Sequence, residues 1–154
     1  MLDYLLVFFI SMVPLIELRG AIPIGIGMGL ETLPTIIVSV IGNMLPVPVI
    51  YFFARKFLLW GARQRFIGKI CNFFVVKGER AGQKLVAKAG RGGLFIALML
   101  FVGIPIPGTG AWTGTLAASF LDMGFKSTVA AVSLGVVIAG LIMGIGSLVA
   151  VGIF

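Results

Sequence analysis

The sequence has no histidine and a single cysteine, Cys71, among its 154 residues. Without histidines or a cysteine cluster, it lacks the usual ligands of zinc and most transition metals. The same absences leave no nucleophile with a neighbouring base, and one cysteine cannot form a disulfide within the chain. The sequence therefore predicts no metal site, no cofactor and no catalytic residues, and we expect a protein that is not an enzyme.

Charged residues are also scarce, at 11% of the chain, whereas 60% of the residues are hydrophobic and the mean hydropathy is +1.19. A soluble domain of this size has too little interior to bury so much apolar surface. The 22 glycines and seven prolines lie largely within apolar stretches, where membrane helices tolerate them. We therefore predict an all-α integral membrane protein with a single membrane domain over residues 1–154.

Positive charge is concentrated in one stretch. Ten of the twelve lysines and arginines lie between Arg55 and Arg91. A basic loop between apolar regions follows the positive-inside rule, so we expect residues 55–91 in the cytoplasm of a prokaryote, beneath its cytoplasmic (inner) membrane, and no nucleic-acid partner. Residues 62–76 place apolar side chains at helical spacing among basic ones, which predicts an amphipathic helix on the inner leaflet or a solvated hairpin. Anionic membrane lipid is an expected partner.

Two apolar segments are long enough to cross a bilayer, about Leu33–Phe53 and Thr128–Phe154, and the first should bend at its prolines. Two others, Tyr4–Val13 and Leu94–Val102, are only about ten residues long, or half a bilayer. Each short segment runs into a proline- and glycine-rich break, and residues 14–23 and 103–114 should leave helical geometry there. We predict that each forms a re-entrant hairpin; the alternative is a kinked full span, which would give four crossings.

The two halves of the chain share an order of elements. In each, a short apolar arm, a break and a second short arm with an acid precede a full span. A shift of about 91 residues places Pro14 on Pro105 and Glu31 on Asp122. With one crossing per half, the second half is inverted relative to the first, as in many secondary transporters.

The predicted plan is a first repeat at residues 1–54, a basic amphipathic connector at residues 55–92 and a second repeat at residues 93–154. Gly140 and Gly144 form a GxxxG pair, which is typical either of packing within the subunit or of a dimer contact. Because two spans and two half-spans offer little material to enclose a site, we expect a homodimer.

Glu17 is the one acid placed at membrane depth, and Arg19 lies two residues later. Ionisable groups inside a bilayer are costly and are functional candidates; the alternative is a pair that only pins the hairpin. The second break offers backbone N–H groups at the start of a helical arm near Ala111, whose positive end suits an anion. We expect Arg19 and residues 108–114 to bind an anion, while Glu17 exchanges a proton.

Three motifs occur in order along the chain: Pro14-Leu-Ile-Glu-Leu-Arg-Gly-Ala-Ile-Pro23, Gly42-Asn-Met-Leu-Pro-Val-Pro48 and Ile104-Pro-Ile-Pro-Gly-Thr-Gly-Ala-Trp-Thr-Gly114. Together they resemble the family named "Putative small multi-drug export protein", which is distantly similar to the DedA superfamily. The resemblance implies paired re-entrant hairpins and proton-dependent translocation of lipid phosphates. The candidate substrate-binding residues, all within these motifs, are Glu17, Arg19, Gly20, Pro23, Asn43, Pro105, Pro107, Gly108, Thr109, Gly110, Trp112 and Thr113.

Three functional hypotheses follow. The first is a small transporter or lipid flippase whose midplane site binds an anionic head group, such as a polyprenyl phosphate, and couples to protons through Glu17. The second is an exporter of small cationic drugs, which would require Glu17 to act without compensation by Arg19. The third is a structural or scaffolding membrane protein that holds partners or anionic lipid with its basic loop.

The basic loop is predicted to be cytoplasmic, and Tyr4 and Phe154 to lie on the outer side. In a variant without Cys71, an impermeant thiol reagent added to sealed cells should label Glu31→Cys but not Gln83→Cys. Permeabilised cells provide the control, in which both positions should react. Labelling of Gln83→Cys in sealed cells would contradict the orientation.

Overall fold

The chain folds into helices joined by short turns. A computed structural model describes residues 1–90 and 93–152, apart from the side chains of Lys88 and Ala89, and contains no strand among them. The all-α prediction is confirmed for these residues, whereas Arg91 and Phe154 lie outside them. The elements are α1 (Leu2–Met12), α2 (Glu17–Gly27), α3 (Thr32–Met44), α4 (Val47–Val49), a π-helical segment (Ile50–Ala54), α5 (Arg55–Ala62), α6 (Gly68–Ala89), α7 (Leu94–Gly103), α8 (Ala111–Phe120) and α9 (Phe125–Val151).

Two helical stretches are long and apolar enough to cross a membrane, namely Thr32–Ala62 with 31 residues and Phe125–Val151 with 27. At 1.5 Å per residue, both exceed the roughly 30 Å of a bilayer core. The first stretch is irregular after Met44, where a turn precedes α4 and the π-helical segment. Pro46 and Pro48 lack backbone N–H groups, so the irregularity lies where these prolines predict a bend.

Two pairs of short helices accompany these spans. Helices α1 and α2 have 11 residues each, and α7 and α8 have ten each. Each helix is therefore about 15 Å long, or half a bilayer core. We call the first pair the first hairpin, with its tip at residues 13–16, and the second pair the second hairpin, with its tip at residues 104–110.

The break in the first hairpin is shorter than predicted. We expected residues 14–23 to leave helical geometry, but α2 begins at Glu17 and contains Pro23. The chain instead reverses over the four tip residues, where Leu15 has a φ of 76°. An interior proline removes only one hydrogen bond from a helix, and neighbouring helices make that loss tolerable, so Pro23 did not have to mark a break.

The break in the second hairpin is also shorter than the predicted residues 103–114. Helix α7 continues to Gly103, and α8 begins at Ala111. The start of a helical arm near Ala111 is therefore confirmed. Between them, Pro105 and Pro107 lie in the tip, where the chain has no helical hydrogen bonds to lose.

Helix α9 packs against α2, α3 and α7 through a face rich in small residues. Gly140 lies beside Val40 of α3, and Gly144 lies beside Thr32. The later of these two α9 residues thus contacts the earlier residue of α3, so the two helices are antiparallel. The GxxxG pair packs within the subunit, which confirms one of its two expected roles.

The described part of the basic connector contains α5, a turn and the long helix α6. Helix α6 spans Gly68–Ala89, whereas the predicted amphipathic helix covered residues 62–76; the segment from residue 63 to 67 forms turns before it. Near its start, Phe66, Ile70 and Phe73 are exposed, as expected of an apolar face, while the opposite face packs on α5, α7 and α8. The boundary was wrong because the same periodicity continues through the basic residues that follow.

Gly135→Ala should destabilise the fold, because a Cβ at this position would lie 2.7 Å from the carbonyl oxygen of Met99 and 2.8 Å from Cβ of Val102. Overpacking of this kind costs about 1–3 kcal/mol. Gly146→Ala is the matched control, since its Cβ would meet nothing within 4 Å. Thermal unfolding of both variants in detergent tests the contact. Equal melting temperatures would show that α7 and α9 are not closely packed.

Candidate functional site

The tips of the two hairpins meet, and Glu17 makes one half of the contact. Its Oε2 accepts a hydrogen bond from the backbone N–H of Ala111 at 3.1 Å, and its Oε1 accepts one from Trp112 at 3.1 Å. These are the first two residues of α8, whose N–H groups have no partner within the helix. Glu17 therefore caps α8 from the other hairpin, with its carboxylate at the positive end of the helix.

Arg19 makes the other half of the contact. Its Nη1 donates to the carbonyl of Ile106, and its Nη2 lies 2.9 Å from the carbonyl oxygen of Thr109 and 3.2 Å from that of Val102. The last carbonyls of α7 have no partner within the helix, and the planar guanidinium can reach several at once. We call the contacts of Glu17 and Arg19 with the second tip and its flanking helix ends the tip junction.

Side chains from elsewhere also hold two neighbouring helix ends. The indole N–H of Trp112 donates to the carbonyl of Met12, at the end of α1, at 3.1 Å. Arg55 Nη1 donates to the carbonyl of Ser119, near the end of α8, at 3.0 Å and forms an ion pair with Asp122 at 3.1 Å. Helix α8 thus has an acid at its start and an arginine at its end, which both complement the helix dipole.

Glu17 and Arg19 bind separate partners, whereas the sequence had left open whether they pair with each other. In the part of the chain that the structure describes, Arg55 and Asp122 form an ion pair, whereas Glu17 and Arg19 do not contact each other in this way. Glu17 is only 4% exposed. Each of the two charges faces a helix end of the second hairpin, so each is compensated by backbone groups as well as by its neighbour.

Two positions of the second tip require glycine, each for a different structural reason. A Cβ at Gly110 would overlap the carboxylate of Glu17, so the close approach of the two hairpins requires glycine there. Gly108 has a φ of 87°, a conformation that glycine adopts at little cost. The glycine-rich motif therefore provides both the turn and the room for the acid.

Asn43 lies beside the tip junction. Together with Glu17 and Arg19, it lines a small void that leaves no room for a water molecule. Asn43 is 1% exposed, and its Oδ1 has no hydrogen-bond partner among the residues that the structure describes. A buried unpaired amide oxygen is costly, which makes Asn43 a candidate for a role beyond packing.

The structure brings most of the predicted site residues together, but not all of them. Gly20 packs beside Ile16 within its own hairpin, and Pro23 lies farther along α2; neither lines the void at the junction. Arg55 was predicted only as part of the basic loop, and its role at the end of α8 was missed. The predicted residues at or next to the junction are Glu17, Arg19, Asn43, Pro105, Pro107, Gly108, Thr109, Gly110, Trp112 and Thr113.

A groove of about 970 Å³ adjoins the second tip, between α6 and α7. One wall carries cationic side chains of α6, the other is the apolar face of α7, and tip residues close one end. The sequence did not indicate this groove, because it depends on how the connector packs against the second hairpin. Its cationic residues are Lys77, Arg80 and Lys84.

A family model described as "Putative small multi-drug export protein" matches residues 17–142 of the chain. The match begins at Glu17 and covers every predicted site residue. No curated protein and no solved structure matches the chain.

Gly110→Ala should disrupt the tip junction, because the added methyl would displace the carboxylate of Glu17 from the start of α8. Leaving buried backbone groups unpaired should cost about 1–3 kcal/mol of stability. Gly124→Ala is the matched control, since Gly124 precedes α9 as Gly110 precedes α8, and its Cβ would meet nothing within 4 Å. The melting temperatures of the two variants in detergent test this prediction.

The same substitution tests the contact itself through a double-mutant cycle. In a Glu17→Ala background, Gly110→Ala should cost much less than in the natural chain, because the carboxylate that it displaces is no longer there. Additive effects of the two substitutions would contradict the junction.

Proposed function

Because the chain belongs to the small multi-drug export protein family, we propose that it is a transporter whose site is the tip junction between two re-entrant hairpins. Its two long apolar helices and its family make it a membrane protein. The proposal adds to this the re-entrant architecture, proton coupling at Glu17 and an anionic substrate. The predicted kinship with the DedA superfamily is part of the same proposal.

The position of the tip junction along the two long helices is the observation that carries the proposal. The void at the junction is lined by Asn43 of α3 and Val136 of α9. Each lies eleven residues after the first residue of its helix. At 1.5 Å per residue, this is about 16 Å along each span, near the middle of a bilayer core. Hairpins whose tips end at that depth are re-entrant, and transporters bind substrates there.

The arrangement of the two halves supports an inverted repeat. Each half has a hairpin of two short helices followed by a long span, and the two spans are antiparallel. The Arg55–Asp122 ion pair ties the end of the first span to the beginning of the second. The connector and the open end of the second hairpin then share one side of the membrane, and the first hairpin opens to the other.

Glu17 is the group that can open the junction. Its ionised carboxylate accepts two N–H groups and meets the positive end of α8. Proton uptake removes its charge and weakens this cap. The charged groups that act on it are Arg19 on its own helix and Lys77 on α6. We propose that protonation of Glu17 releases the second tip from the first hairpin during each transport cycle.

An anionic group is the substrate feature that suits the released junction. The N–H groups of Ala111 and Trp112 already bind one anion, the carboxylate of Glu17. A phosphate or carboxylate of the substrate can take its place, and Arg19 supplies a neighbouring positive charge. A polyprenyl phosphate is one molecule with this chemistry.

The other two hypotheses receive less support. A cationic substrate would need an acid with a free oxygen, whereas both oxygens of Glu17 bind backbone N–H groups. A scaffold would explain the saturated hydrogen bonds as a permanent pin, but not the groove that reaches the junction. The homodimer and the inner-membrane location remain predictions alongside the transport proposal.

Glu17→Gln should remove the part of the pH dependence of transport that exceeds the titration of the phosphate substrate itself, because the amide keeps an acceptor oxygen for α8 but cannot exchange a proton. Proteoliposomes should be loaded with dodecyl phosphate, and its efflux measured between about pH 5 and 8. Glu31→Gln is the matched control, since it makes the same change at an exposed acid before α3 and should leave the pH profile unchanged.

Arg19→Gln separates the substrate hypotheses in the same assay. We expect it to abolish dodecyl phosphate efflux. Faster efflux of a lipophilic cation, with dodecyl phosphate unaffected, would instead favour the cation exporter. If neither variant changes the efflux of either compound, Glu17 and Arg19 are a structural pin and the transport site is elsewhere.

A further inference from the structure

The groove between α6 and α7 has one cationic wall. Lys77, Arg80 and Lys84 line it from α6, and their spacing of three and four residues places them on one face of that helix. None of these three side chains forms an ion pair with an acid of the described chain, and no acid is among the described residues that line the groove. A row of cations in a groove without an acid favours an anionic occupant.

The opposite wall of the groove is apolar. Ile96, Leu100 and Ile104 recur every four residues along α7 and onto the second tip, and all three are exposed. Their stripe is about 12 Å long at 1.5 Å per residue. On a membrane helix such a stripe packs against hydrocarbon, so it can accommodate the tail of an amphiphile. The groove thus pairs the apolar stripe of α7 with a row of cations.

One end of the groove reaches the tip junction. Gly108 lies there beside Lys77, whose ammonium nitrogen is 3.4 Å from the position of a Cβ on that glycine. Thr109 lines the same end and accepts hydrogen bonds from Arg19 with its carbonyl and its hydroxyl. An occupant of the groove would therefore touch a residue that holds the junction closed.

We infer that the groove binds a single-chain amphiphile with an anionic head group, with the head at Lys77 and the tail along α7, and delivers it to the tip junction. This inference rests on the proposed transport function and adds the class of substrate and the site where it enters. The cationic wall selects the charge, and the exposed stripe of α7, which is one side chain wide, suits one chain rather than two.

Binding of radiolabelled dodecyl phosphate to the full chain in phosphatidylcholine nanodiscs tests the inference. We expect saturable binding, no measurable binding of dodecyltrimethylammonium, and none of inorganic phosphate, which has no tail. The triple variant K77Q/R80Q/K84Q should weaken dodecyl phosphate binding by about tenfold or more. The control triple R63Q/R65Q/K69Q removes the same charge from the same connector, outside the groove, and should bind normally.

A second variant tests the apolar wall without changing charge. Leu100→Trp narrows the groove at an exposed position and should also weaken binding by about tenfold. Leu141→Trp makes the same change at an exposed position of α9, outside the groove, and should have no effect. Size-exclusion profiles show which variants are folded. If K77Q/R80Q/K84Q does not fold, Leu100→Trp decides.

Equal losses in both triple variants would show only general surface attraction and would overturn the inference. So would comparable binding of the ammonium compound, or preferential binding of a two-chain phosphatidic acid. Failure of the two proposals can be told apart in proteoliposomes. Dodecyl phosphate that binds in the groove but is not transported refutes the transport function alone, whereas normal transport by the groove variants refutes the groove alone.

Discussion

The end of a helix leaves backbone groups without partners inside the helix, and this constraint governs the centre of the protein. The second hairpin has two such ends, the last carbonyls of α7 and the first N–H groups of α8. Arg19 binds the former and Glu17 binds the latter. A chain with so few charges therefore places a carboxylate and a guanidinium where each supplies the missing hydrogen-bond partners of one helix end.

The need to pair these helix ends also determines which parts of the chain must approach closely and which groups can exchange hydrogen-bond partners. Glu17 reaches α8 only because Gly110 has no side chain, and the other end of α8 is held by Arg55. Helix α8 is thus held at its two ends by charges from two other elements. Because Thr109 both binds Arg19 and lines the groove, occupancy of the groove and closure of the junction depend on a shared residue.

Local features of the sequence predicted much of this arrangement. The two long spans, the two half-length arms and the helix start at Ala111 follow from segment length, hydropathy and proline content, which act over a few neighbouring residues. Glu17 and Arg19 could be singled out because charge is rare in apolar sequence. Pro23 and the connector boundary were predicted incorrectly, because a proline within a packed helix and a continuous basic periodicity give no unambiguous local signal.

The sequence by itself determined that the chain is apolar and helical, where its helices break, and which two charges lie near a break. Tertiary structure alone decided what those charges bind. Glu17 meets Ala111 more than ninety residues away, and Lys77 meets Gly108, because the hairpins and the connector pack together. An unpaired helix end requires a partner of a given charge, but it does not indicate where along the chain that partner lies. Only the packed fold could identify the partner.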